Sequence, residues 1–182
     1  MAVFHVKFRL IIQPILLISC LLSGAVAQAG ESVIDNIKSV YIYNFLSFIQ
    51  WPDSKVVTGD YRLCVIADQA LIDKLSAVVH DEQMNERSII IVPFNYVNDV
   101  RGECHLLYLQ ERLIVDAEQL TIFEEQGTLL IGDASGFVTN GIGMVGFETR
   151  GRKVRVAMNL TRLQDAGFKV SSKLLRVVRI ER

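Results

Sequence analysis

The chain has 182 residues, 51% of them apolar, and its 19 basic and 20 acidic side chains leave a formal net charge of −1. That length suits one domain with one core, and that balance provides no bulk positive field for holding nucleic acid. No repeat, low-complexity tract or internal linker divides it.

Residues 1–9 carry Lys7 and Arg9 and no acid, Leu10 to Leu22 is almost wholly apolar, and Ala25-Val26-Ala27-Gln28-Ala29 supplies two overlapping A-x-A sites. Basic, apolar and small-residue regions in that order read as a secretory signal peptide over residues 1–29, cleaved after Ala29. The apolar run is shorter than the roughly 20 residues a membrane span needs. Leu17-Ile18-Ser19-Cys20 also resembles a lipobox, which would instead make a lipidated Cys20 the mature N-terminus. The expected mature protein is a single domain over 30–182, with 17 basic residues facing 20 acidic ones once Lys7 and Arg9 have left.

Ser32 opens a predicted helix that runs to about Gln50 and is closed by Trp51-Pro52, because proline disfavours helical geometry at the residue before it. Ile34, Ile37, Tyr41, Phe45 and Phe48 recur at helical spacing and predict a core stripe, while Val40, Tyr43 and Ile49 lie off it. The helix is therefore apolar on more than one face, which suits either deep burial or a second face for a partner. Residues 61–67 read as a strand, Asp68 as an N-cap, and Leu71, Ile72, Leu75, Val78 and Val79 as an amphipathic helix ending near His80. Strands follow over 88–94 and 104–109, then a helix opened by Asp116-x-x-Gln119 and closed by Gly127, then a strand over 128–131. Continuous apolar strands separated by helices predict an α/β fold with a mostly parallel sheet covered by helices on both faces. Beyond them, Ile142 to Thr149 and Lys153 to Asn159 flank Arg150-Gly151-Arg152 as a β-hairpin. A short helix ends at Gly167, and Ser171-Ser172 caps a predicted terminal helix carrying Leu174, Leu175 and Val178.

Without Cys20 the expected mature chain holds two cysteines, Cys64 and Cys104, both in strand-like apolar runs. An even count in an exported protein predicts a disulfide between them. Closing a loop of about 40 residues contributes roughly 4 kcal/mol by chain-entropy reasoning. A metal pair is the weaker reading, since His105 adjoins Cys104 but no further ligand stands at metal-binding spacing, and no C-x-x-C suggests a reactive thiol pair.

Little else suggests chemistry. Asp68 and Asp133 each follow a strand, where open α/β sheets bind ligands, but helix caps and turns also place aspartates there. The stretch Gly132 to Gly143 is glycine-rich, yet it lacks the GK[ST] ending of a P-loop and leads into a strand, so it reads as a turn-rich loop. Only His80 and His105 remain as bases after the leader, and no G-x-S-x-G occurs. No catalytic set, cofactor site or metal site is expected. Lys173, Arg176, Arg179 and Arg182 recur every three residues and would form a basic side of the terminal helix.

Tyr41-Ile42-Tyr43-Asn44-Phe45-Leu46-Ser47-Phe48-Ile49-Gln50-Trp51-Pro52 resembles the signature that opens the YfiR family. Leu63-Cys64-Val65-Ile66 and Cys104-His105-Leu106-Leu107-Tyr108 are similar to its next landmarks. Val156-Ala157-Met158-Asn159 through Ala166-Gly167-Phe168-Lys169-Val170-Ser171-Ser172-Lys173-Leu174-Leu175 is similar to its closing block. The resemblance implies a periplasmic regulator that binds the periplasmic region of an inner-membrane diguanylate cyclase of the YfiN type and holds it inactive. An outer-membrane lipoprotein of the YfiB type would sequester the regulator, raising cyclic di-GMP and favouring biofilm. It also implies a possible homodimer and possible small aromatic or nucleotide ligands. Some relatives carry a second cysteine pair around the glycine-rich loop, which this chain lacks.

Two surfaces compete for the partner. One is the C-terminal hairpin, half exposed by its alternation, with Phe147 as aromatic anchor and Glu148 and Arg176 in the polar rim. The other is the extra apolar face of the first helix with Trp51, although a residue just before a helix-ending proline commonly packs inward. The competing functional class is a periplasmic small-ligand binder that signals through no protein.

Overall fold

The structure is a computed structural model that describes residues 23–52, 59–111 and 117–181, with side chains from Val33 onward. Residues 1–22, which include most of the expected leader and Cys20, lie outside the described residues, as do Asp116 and Arg182. The chain divides into two compact units, Met1–Val33 and Ile34–Arg182. In the first, the described residues are helical; the architecture below is that of the second.

Its centre is an eight-stranded mixed sheet, and a separate two-stranded pair is formed by β1 (Ile49–Gln50) and β9 (Lys169–Val170), strands and helices being numbered along the chain. The sheet contains β2 (Tyr61–Ile66), β3 (Gln83–Met84), β4 (Arg87–Pro93), β5 (Leu106–Leu109), β6 (Leu129–Gly132), β7 (Val145–Arg150), β8 (Lys153–Asn159) and β10 (Arg179–Glu181), in the order β10-β8-β7-β6-β5-β2-β4-β3. The pairs β4/β2, β2/β5, β5/β6, β6/β7 and β8/β10 are parallel, and β3/β4 and β7/β8 are antiparallel. The parallel centre follows from composition. Leu106-Leu107-Tyr108-Leu109 and Leu129-Leu130-Ile131 are buried at successive positions, and successive side chains point to opposite sides. Leu106 aligns with Leu63 on one neighbour and Leu129 on the other.

Helix α2 (Gln69–Val79) forms where expected: the Asp68 carboxylate accepts from Leu71 N at 3.0 Å, and Leu71, Leu75 and Val79 are buried along one face. Helix α3 (Ala117–Glu125) stops ahead of Gly127, whose φ of +70° is the left-handed turn that ends helices. Helix α4 (Leu160–Asp165) is capped by Asn159, which accepts from Arg162 N at 2.9 Å. The β7–β8 hairpin turns at Gly151, where φ is +60°. The β3–β4 hairpin has no sequence signal of that kind; its two turn residues, Asn85 and Glu86, take φ of +51° and +62° without a glycine.

Four expectations need correction. Helix α1 (Ser23–Phe48) fully buries only Phe45 of the stripe Ile34, Ile37, Tyr41, Phe45, Phe48 and leaves the other four half-buried: its buried face is Asp35, Lys38, Ser39, Ile42, Phe45 and Leu46, because the two charged residues find ionic partners inside. Ile49–Gln50 is not helix but β1, which pairs antiparallel with β9 (Lys169–Val170). The terminal helix stops after one turn, α5 (Ser172–Leu175), and the chain continues as β10 beside β8, with Arg179 opposite Ala157. Strand β8 would otherwise present an unpaired edge, which Arg179–Glu181 covers after a turn at Arg176-Val177. The expected basic helix side therefore does not exist. Finally, the hairpin is exposed only toward its tip: Val145, Gly146 and Phe147 are all buried, so neither side of β7 is open at its base.

Cys64 and Cys104 are disulfide-bonded, with Cα atoms 5.7 Å apart, and both are fully buried. The bond joins β2 to the residues just ahead of β5.

Candidate functional site

Three places hold the residues that the sequence singles out. The first lies at the carboxyl ends of β5 and β6. Asp133 follows β6, and its Oδ2 accepts from the Tyr108 hydroxyl at 2.8 Å and from the Lys38 ammonium in a close ion pair. Burial, and then the charge of Asp133, push the Tyr108 phenol well above its ordinary pKa, so it stays a donor. Asp133 Oδ1 has no hydrogen-bond partner among the described residues. Lys38 reaches this point from α1, whose Asp35 also pairs with Lys74 of α2 at 3.4 Å. Two charges of α1 are thereby neutralised beneath it, which is how a helix with Asp35, Lys38 and Ser39 on its inner face packs at all. A pocket of about 220 Å³ opens here, with Lys38, Glu111, Asp133, Ser135, Phe147 and Arg150 among its lining residues.

The glycine-rich loop beside this pocket is not a phosphate cradle. Ile142 N and Gly143 N both donate to Phe137 O, at 3.1 and 2.9 Å, and Asn140 N and Gly141 N donate to Gly136 O and Val138 O. A Cβ on Gly132 would come within 2.7 Å of the Phe137 ring, and one on Gly143 closer still. These two glycines are small because the chain wraps a buried phenylalanine.

The second place is the outer side of α1. Asn36, Ile37, Val40, Tyr41 and Asn44 line an apolar groove, and Val40 is 48% exposed. The expected stripe of α1 thus lies largely along a half-covered face, and two of its residues border this groove.

The third surrounds the disulfide. The Trp51 indole donates to His105 O at 2.9 Å and packs edge-on against Tyr61 and Phe168. Trp51 packs inward, as the residue before Pro52 is expected to. His105 is buried, accepts through Nδ1 from Arg62 N at 2.9 Å and faces Tyr61. That is the arrangement of a structural histidine. His80 is exposed beside Asp81.

Of the four residues expected at a partner surface, Phe147 is misplaced by the expectation of alternating exposure. It is 2% exposed and packs with Tyr41, Phe45 and Tyr108 at centroid distances of 6.1, 6.1 and 6.3 Å. Glu148 is half-buried and pairs with Arg179. Arg176 is exposed at the end of α5. Trp51 lies among a different set of partners from these three. Lys38 and Tyr108 carry no site signal on first reading; the one clue is that Lys38 stands four residues before Ile42, on the helix face that also bears Phe45.

Among the described residues, no group of three or more His, Cys, Asp or Glu side chains is arranged to hold a metal ion, and no helix is long and apolar enough to cross a membrane. A comparison with curated protein sequences finds no significant match. A family model described as YfiR/HmsC-like matches residues 35–179.

Proposed function

Because the chain belongs to the YfiR/HmsC-like family, we propose that it is a periplasmic regulator of cyclic di-GMP signalling that binds the periplasmic sensor region of an inner-membrane diguanylate cyclase and holds the enzyme inactive. The observation that carries this reading is the family match across residues 35–179. The buried Cys64–Cys104 bond is consistent with an oxidising compartment. A lipoprotein of the YfiB type would release the cyclase by competing for the regulator.

Repression of this kind needs no catalysis by the regulator. A bound domain shifts a two-state sensor only by its differential affinity for the two states, and moving the ratio from 1:99 to 99:1 takes about 5.5 kcal/mol. An interface of ordinary size can supply that. The surface we favour is the α1 face around Ile37, Val40 and Tyr41, because it is apolar and open. The hairpin surface keeps Glu148 and Arg176 as polar contacts but has lost its aromatic anchor to the core. Trp51 would act by holding the end of α1 in place rather than by touching the partner.

Deleting the protein is expected to raise cellular cyclic di-GMP and surface attachment, and restoring it in trans should lower both. A Val40→Arg protein should fold normally and fail to complement. Full complementation by Val40→Arg, with loss instead in Arg176→Glu, would move the partner surface to the C-terminal side.

A further inference from the structure

We propose that the pocket at the carboxyl ends of β5 and β6 binds a small, neutral, polyhydroxylated molecule about the size of one sugar ring. The inference is independent of the regulatory reading, since it concerns what the pocket itself offers.

The starting point is Asp133. Its side chain is 4% exposed, its Oδ2 is doubly engaged by Tyr108 and Lys38, and its Oδ1 has no donor among the described residues. A buried charged acceptor left unsatisfied is costly, and native structures rarely keep one without a use. This one borders a pocket at the place where open α/β sheets bind their ligands. At about 220 Å³ the pocket has the volume of roughly seven liquid waters and lies below the range of drug-sized sites.

The floor and rim specify the chemistry. Lys38 and Asp133 neutralise one another, so the floor presents no net charge to an occupant. An ammonium has three donors and the carboxylate keeps a free lone pair, so donor and acceptor capacity stand side by side. That pairing complements adjacent hydroxyls, each of which both gives and takes a hydrogen bond. Glu111 and Arg150 extend the same logic at the exposed rim with planar groups that span two hydroxyls, and Ser135 adds one more. Phe147 borders the pocket from the core side and is almost wholly buried, so the recognition falls to the polar groups. Anionic ligands gain little here, because Lys38 is already paired with Asp133, Glu111 offsets the charge of Arg150 at the rim, and the neighbouring loop's amides already bond to its own carbonyls. Flat apolar ligands are disfavoured by walls made mostly of charged side chains.

The test uses the purified exported protein with D-glucose, D-ribose and myo-inositol as neutral probes, and inorganic phosphate and glycine as charged comparators. Saturation-transfer NMR and amide chemical-shift mapping read the binding. The expected result is saturable binding of at least one neutral probe, with shifts at Asp133, Ser135 and Gly136. Arg150→Ala and Ser135→Ala sit on the exposed rim and should leave the fold intact; Arg150→Ala should weaken binding by about tenfold or more. Asp133→Asn addresses the orphan oxygen directly, but it also unbalances Lys38, so the rim variants keep the proposal falsifiable if Asp133→Asn fails to fold. No saturable binding of any neutral probe, binding confined to phosphate or glycine, or binding that both rim variants leave unchanged would each overturn the proposal and leave a pocket that holds only water.

Discussion

Phe147→Ala is expected to lower the unfolding free energy by about 3–5 kcal/mol. The ring is 2% exposed and stacks on Phe45 at 6.1 Å and 25°, with Tyr41 and Tyr108 completing its surroundings. It belongs to β7, where both neighbouring positions on the strand, Gly146 and Glu148, are buried or half-buried, so the cavity cannot collapse by bending one free side. Urea or guanidinium unfolding checks this as a lowered midpoint at unchanged slope. Phe147→Leu, which keeps most of the volume, should cost clearly less. A Phe147→Ala protein with wild-type stability that had lost only partner binding would contradict the burial and return Phe147 to a surface role.

Lys38→Met is expected to cost about 3–5 kcal/mol, because it removes the cationic partner of the buried Asp133 carboxyl and leaves the Tyr108 hydroxyl as its donor among the described residues. Replacing the whole set, as Lys38→Met with Asp133→Leu and Tyr108→Phe, should recover most of that loss, since apolar groups of similar volume need no partners. Such non-additivity is the signature of one shared network. If Lys38→Met lowered stability by less than about 1 kcal/mol, the pair would behave as an ordinary surface ion pair, and the neutral floor assigned to the pocket would be wrong.

The parts of this fold that the sequence makes legible are those where local pattern and tertiary burial agree. Asp68 followed by Leu71, Leu75 and Val79 specifies both the cap and the buried face of α2. The apolar runs of β2, β5 and β6 specify strands buried at successive positions, and Arg150-Gly151-Arg152 specifies the hairpin turn. Two cysteines in strand-like runs specify the Cys64–Cys104 bond. The rest is illegible for physical reasons. Asp35 and Lys38 look like solvent-facing charges because their partners, Lys74 and Asp133, are 39 and 95 residues away. The period of three in Lys173, Arg176 and Arg179 imitates a helix face, whereas Arg179 belongs to β10, whose existence depends on the free edge of β8. Along β7 exposure grades from buried Val145, Gly146 and Phe147 to exposed Thr149 and Arg150 rather than alternating, so a reading by alternation puts Phe147 outside. The pocket depends on Lys38, Glu111, Asp133 and Arg150 converging from separate elements, which no spacing announces.

The most direct test of the regulatory account measures cyclic di-GMP synthesis by membranes that contain the candidate cyclase, as the purified protein is added from the periplasmic side. The account predicts a saturable fall in synthesis that follows binding to the cyclase's periplasmic region, with the Val40→Arg protein neither binding nor inhibiting. Unchanged synthesis at concentrations where the protein demonstrably occupies that region, or no binding to it at all, would contradict the account.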